Sequence, residues 1–396
     1  MNSKKFLIAS GIIAASALSL FTFKSPIISA VMNFKENIFA KECIRSNSKV
    51  NSFEDFLSCK VPSKTVAIFE PNPYHHECMP GYAKYFTDMG YNVDTLIVKN
   101  CEDALSSFSP ENNLRIFTFD NLETIEKNAN KINKRFEKYD YILIQTTDPN
   151  KAEIYKKLGV VNMPNAFFVA HDTEWVKSME GFEDLFNQNR VLTLGNFKDG
   201  LQVNPHYFGD FEKKEKNQKT RFFITSSGGR NYSNLTDAAE KLKKEGLDFE
   251  ILVVGRGNTF NIESIPENLK DKFVFKHRLP FNEMYQEVLN SDYIIINLDP
   301  NNENDNAFKN LRVSGAAQLC YGFSKPALIH KEFAGNYGMT DENSFIYNNS
   351  DFTEVMKKAI KLSKGHYKEK QINLIALSNK IYNISLENLK KAMKTH

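Results

Sequence analysis

A chain of 396 residues is too long for one ordinary hydrophobic core and points to two domains. Hydrophobic residues make up 41% and charged residues 25%, which excludes an intrinsically disordered chain. The net charge of +3, with no basic stripe interleaved with aromatics, gives no footprint for nucleic acid.

Residues 6–23 (FLIASGIIAASALSLFTF) carry no charge. Such a run predicts a single-pass signal anchor, or a signal peptide cleaved near residues 28–30, within segment 1–30. The protein is therefore expected to be membrane-associated through residues 6–23, or exported. Lysines flank the run on both sides (Lys4 and Lys5; Lys24, Lys35 and Lys41), so charge selects no orientation. Residues 31–63 are polar and weakly patterned, and read as a stem. The five cysteines form no CxxC pair, which argues against a zinc ribbon or a dense disulfide framework. Spacing alone leaves pairing of Cys43 with Cys59 open.

A clear alternation begins after Pro62. Short β-branched and aromatic runs at 66–70, 92–98, 115–119, 139–146, 165–170 and 190–194 are separated by charged stretches. The stretch 122–136 carries apolar residues at helical spacing. Residues 210–220 (DFEKKEKNQKT) are a charged break and predict a linker. The alternation restarts with strands at 221–225, 249–254, 273–276, 292–298, 326–329 and 344–347. Helices fit 233–245, 282–290, 312–321, 351–363 and 368–394. Strands alternating with helices predict βαβ units and parallel sheets. The expected organisation is one α/β domain at 64–210, a second at 221–365 and a terminal helix at 366–396. Two such Rossmann-like doubly wound domains would face a cleft. Ligands of open parallel sheets bind beyond the carboxyl ends of the strands, so the informative residues should follow each strand.

Two loops stand out there. In RFFITSSGGRNYSNLTDAAEKL (221–242) a strand runs through Ser227, Gly228, Gly229 and Arg230 into a helix. Glycines allow a phosphate to approach the backbone, the helix N-terminus favours anions, and Arg230 can add a bidentate contact. The alternative is a tight βα turn with no ligand, since the run is neither GxGxxG nor a Walker loop. The second loop, 299–315, brings Lys309, Arg312, Ser314 and Gly315 toward the same strand-end face.

Residues 221–350 resemble the sugar-nucleotide-binding half of GT-B glycosyltransferases, near the retaining family 4-like group. The features that carry the likeness run in the family's order: the GGRN loop, ILVVGRGN (251–258), FVFKHRLP with its following helix (273–298), and GFSKPALI (322–329). Residues 64–209 resemble the acceptor-binding half, with FFVAHDTEW (167–175) placing His171 at the family's strand-end histidine. The resemblance implies transfer of a sugar from an activated, nucleotide-linked donor to a glycan or lipid-linked acceptor, with no bound metal and no cofactor. It implies catalytic roles for His171, Arg230 and Lys309. Ser227, Gly228, Gly229, Arg230, Gly255, Arg256, Ser314 and Gly315 would bind the donor. One departure is plain: the paired glutamates of the retaining group are absent, and Ser314-Gly315 stands near the place of the second. A non-catalytic sugar-nucleotide or glycan-binding protein on the same scaffold is the alternative. A nucleotide-dependent epimerase or dehydrogenase is disfavoured by the absence of GxGxxG.

The stretch EPNPYHHECMPGYAKYF (70–86) follows the first strand of the N-terminal half. Its adjacent histidines point apart in a loop, and HHEC lacks the HExxH spacing, so no metal site is predicted. His75, His76, Glu77 and Gly81 are candidate acceptor contacts, against the alternative of an ordinary polar loop. Trp175, the single tryptophan, is read as core rather than as a sugar platform.

Overall fold

A computed structural model describes residues 41–109, 111–226, 230–255, 263 and 265–395. The described residues fall into two units, residues 41–42 with 58–60, and the rest from residue 43 onward. In the first, the Lys60 amide donates to the Lys41 carbonyl at 3.1 Å. The second holds both sheets. In the second, Cys78, Cys101 and Cys320 are free.

The N-terminal sheet contains β1 (Val50–Asn51), β2 (Thr65–Glu70), β3 (Asn92–Val98), β4 (Leu114–Phe119), β5 (Tyr141–Ile144), β6 (Ala166–Ala170), β7 (Val191–Thr193) and β8 (Leu201–Gln202). They lie in the order β1-β4-β3-β2-β5-β6-β7-β8. The C-terminal sheet contains β9 (Thr220–Ser226), β10 (Phe249–Gly255), β11 (Phe273–His277), β12 (Tyr293–Ile296), β13 (Ala327–His330) and β14 (Phe345–Tyr347). Its order is β11-β10-β9-β12-β13-β14. Every pairing is parallel. The near-continuous apolar runs of these strands suit sheets covered on both faces, and β2 is buried along its whole length. In each sheet the order reverses at one place, between β2 and β5 and between β9 and β12. Such switch points open a crevice at the strands' carboxyl ends.

The stem reading of 31–63 gives way over its second half. Val50–Asn51 extends the sheet beside β4, and the helix Phe53–Ser58 buries Phe56 edge-on to Phe117 and Phe136. The helix expected over 122–136 breaks at Asn128, whose side-chain amide turns back to the Thr124 carbonyl. The terminal helix Lys364–Lys394 spans both halves: Leu374 packs in the core of the C-terminal sheet, and Leu389, Ala392 and Met393 in that of the N-terminal sheet. The expected membrane anchor is corrected. No helix among the described residues is long and apolar enough to cross a membrane, and the run 6–23 on which that expectation rested lies outside them.

Gly81 finds its explanation here. It lies in the helix Met79–Asp88, where a Cβ would come within 2.5 Å of the Pro205 backbone. That backbone belongs to the segment leading out of the N-terminal sheet and cannot swing aside as a side chain would. Gly81→Ala is expected to destabilise by about 1–3 kcal/mol, read as a lower urea midpoint at unchanged slope.

Candidate functional site

The loops after the two switch points converge on one cleft of about 580 Å³. From the N-terminal half come Tyr74, His75, Glu77, Thr146, Asp148, His171, Asp172 and Trp175. The other half contributes Thr225, Arg230, Phe308, Arg312, Ser314 and Gly315.

The loop after β2 is fixed from below by Glu70, the last residue of that strand. Its buried carboxylate receives the Asn72 amide and side chain at 2.9 and 3.0 Å, Gln145 at 3.2 Å and the Thr146 hydroxyl at 2.5 Å. Burial outweighs the bonds from Thr146 and Asn72 and pushes its pKa up to about 8. Folded, the carboxyl therefore keeps its proton over a range in which the unfolded chain, near 4.5, has lost it. Stability from this group is fully present below pH 4.5 and falls as pH rises toward 8, by up to about 1.4 kcal/mol per pH unit. Glu70→Gln removes that slope, so its urea stability relative to wild type should rise steadily from pH 5 to 8; parallel profiles would contradict this.

Above Glu70, His75 adopts a left-handed conformation (φ 66°) that turns its ring into the cleft. The Gln145 side chain holds its carbonyl at 2.7 Å. Its ring stacks on His171 with centroids 4.1 Å apart, and its Nδ1 lies 3.4 Å from Glu77. Burial opposes a proton on His75, but the bond to Glu77 and the charge of Glu77 outweigh it, and its pKa is raised. His171 is driven well below the ordinary histidine value, first by burial and then by the charge of His75. Its Nε2 faces the Gln145 carbonyl at 3.3 Å. Within the stacked pair a proton is therefore favoured on His75 over His171.

Across the cleft, Arg230 is clamped by the buried Asp305 at 2.9 Å and by the Asn297 carbonyl at 2.8 Å, with its guanidinium over the Phe308 ring. Arg312 engages Asp172 through Nε at 2.6 Å and covers one face of Trp175 at 4.5 Å. The helix Gly315–Phe323 begins at the cleft wall without a side-chain cap on Ser314. The amides of Ala317 and Gln318 turn back to the Ser314 carbonyl. Gly315 and Ala316, in the helix's first turn, line the cleft, where helix amides and the dipole favour an anion.

Of the residues singled out in the sequence, His75, Glu77, His171, Arg230, Ser314 and Gly315 come together in this cleft. His76 does not line it: the ring is 2% exposed, and burial takes its pKa down to about 4. Gly81 packs on Pro205. Gly255 ends β10, where a Cβ would lie 1.9 Å from the Ser226 hydroxyl; strand contact accounts for its glycine. Lys309 pairs with Glu332 at 2.8 Å and borders a different depression. Ser227, Gly228, Gly229 and Arg256 lie outside the described residues. Trp175, expected in the core, is 56% exposed at the cleft. Sequence reasoning missed Glu70, Asp172 and Asp305 as holders of the site; the first two stand at or just after a strand end and Asp305 lies in the short helix Glu303–Asn306, and only the fold supplies their partners.

No family model matches the chain, and no curated protein matches it. Its fold is that of the GT-B glycosyltransferases. In particular it is similar to the crystal structure of a glycosyltransferase from Rickettsia africae ESF-5, with 14% identity, a TM-score of 0.53, and coverage of 84% of this chain and 99% of that one. It is also similar to Anabaena Alr3699/HepE in complex with UDP-glucose, with 12% identity, a TM-score of 0.50, and coverage of 82% and 98%. At these identities the likeness is one of fold.

Proposed function

We propose that this protein is a glycosyltransferase that moves a sugar from a nucleotide-sugar donor to a hydroxyl of an acceptor, without metal or cofactor. The observation that carries the reading is the meeting, in one cleft, of Arg230, Arg312 and the opening turn of the helix Gly315–Phe323. This is the chemistry a departing diphosphate requires: fixed positive groups where negative charge develops. Arg312 takes the part first expected of Lys309. UDP-glucose in the complex with Alr3699/HepE supports a nucleotide sugar as donor.

The acceptor faces the other half. His171, kept neutral, offers a nitrogen to a sugar hydroxyl, while His75 with Glu77 gives the departing proton a place near the reacting atoms. Residues 64–210 would form the acceptor-binding domain and residues 221–365 the donor-binding domain.

The test is thermal unfolding of the full chain with UDP, GDP, CMP and their sugars. One nucleotide class should raise the melting temperature, because a ligand that binds only the folded state stabilises it. A folded sample indifferent to every member would overturn the reading.

A further inference from the structure

A second depression, of about 500 Å³, adjoins the cleft. The two share a wall. Asp172, Trp175, Arg312 and Val313 face the cleft, whereas their chain neighbours Thr173, Glu174, Asn310 and Leu311 face the second depression. The wall itself is rigid, since Asp172 caps the turn by accepting from the Trp175 amide and also holds Arg312.

The chemistry of the two differs. The second depression presents two cations, Lys198 and Lys309, and two acids, Glu174 and Asp199. Lys309 is neutralised by Glu332, and Asp199 by Lys177. Its remaining polar side chains are the Thr173 hydroxyl and three amides, Asn196, Asn310 and Asn336. A site balanced in charge and lined with amides suits neither a phosphate nor an apolar chain; it suits a neutral ligand rich in hydroxyls, because amides both donate and accept. Trp175 stands at the shared wall, 56% exposed, with Arg312 over one face. A large aromatic left this exposed at the border of a polar depression offers a stacking face rather than core packing.

We propose that this depression is a subsite for the distal sugars of an oligosaccharide acceptor, and that Trp175 carries the ring between it and the cleft. The proposal rests on the glycosyltransferase reading and narrows its acceptor to a neutral glycan of two or more sugars.

The probe is an array of defined mono- to tetrasaccharides, read with the labelled full chain and followed by titration of the tryptophan emission. The chain holds one tryptophan, so any change reports on Trp175. The best oligosaccharide should bind at least about tenfold more tightly than its own terminal monosaccharide, a difference of about 1.4 kcal/mol, and should shift the emission. Asn310→Ala with Asn196→Ala should erase that tenfold gain and leave the thermal shift by nucleotide sugar intact. Trp175→Phe should keep part of the affinity and Trp175→Ala lose it. Absence of glycan binding, or equal binding of mono- and oligosaccharides, overturns the subsite whatever the donor does. Glycan binding without any nucleotide response would support the subsite and overturn the donor reading.

Discussion

Arg230→Ala is expected to lower transfer by about 10²–10³-fold, the usual cost of removing one fixed donor aimed at developing charge. Arg230 is not a loosely placed surface cation. Asp305 is 3% exposed and holds it, the Asn297 carbonyl holds it again, and Phe308 supports its face. That clamp removes the cost of ordering the side chain on binding. The same clamp complicates the variant, because Arg230→Ala strips a buried carboxylate of its partner and is expected to destabilise by about 3–5 kcal/mol. Pairing it with Asp305→Asn should restore most of the stability and none of the rate. Full activity in the folded double variant would remove Arg230 from the mechanism.

Asp94→Ala is expected to lower stability by a similarly large amount, about 3–5 kcal/mol. Asp94 on β3 and Arg115 on β4 sit directly opposite in the parallel register, each 1% exposed. The guanidinium binds both carboxylate oxygens, at 2.7 and 2.5 Å, and the Tyr139 hydroxyl adds a third bond at 2.8 Å. Removing the acid leaves Arg115 inside the sheet without its carboxylate. Replacing the pair together, Asp94→Ala with Arg115→Met, should recover most of the loss, since apolar side chains of similar volume serve buried positions as well as an ion pair does. Urea midpoints of the single and double variants decide it; a single variant within about 1 kcal/mol of wild type would show the pair to be energetically idle.

The parallel sheets were legible because periodicity is a local property. The β-branched and aromatic runs at 92–98 and 249–254 match β3 and β10 to within a residue, and the helix expected at 233–245 spans Ser233–Lys244. Two-residue strands such as Val50–Asn51 and Leu201–Gln202 have no period to read, and only the neighbouring strand makes them strands. Loop position after a strand also carried real information about the cleft, placing His75, His171, Arg230 and Gly315 at its wall. What could not be read was pairing at a distance. Nothing local marks Asp305 as a holder of the site, yet Arg230, far back in the chain, is its counterion. Trp175 sits at helical spacing like a core residue, but it lies exposed at the cleft with Arg312 over one face. Gly81 and Gly255 looked like ligand contacts for the reason that any glycine does, and both are explained by a neighbouring backbone or strand instead.

The central claim is sugar transfer in this cleft, and turnover tests it more directly than binding. The measurement is release of nucleoside diphosphate from labelled nucleotide sugars, with and without an oligosaccharide acceptor, by the wild type and by Arg230→Ala with Asp305→Asn. The account predicts release that the acceptor accelerates and that the double variant loses by at least about 10²-fold while remaining folded. A nucleotide sugar that binds the wild type tightly yet is never cleaved, under any acceptor, would contradict it and leave a sugar-nucleotide-binding protein on a glycosyltransferase scaffold.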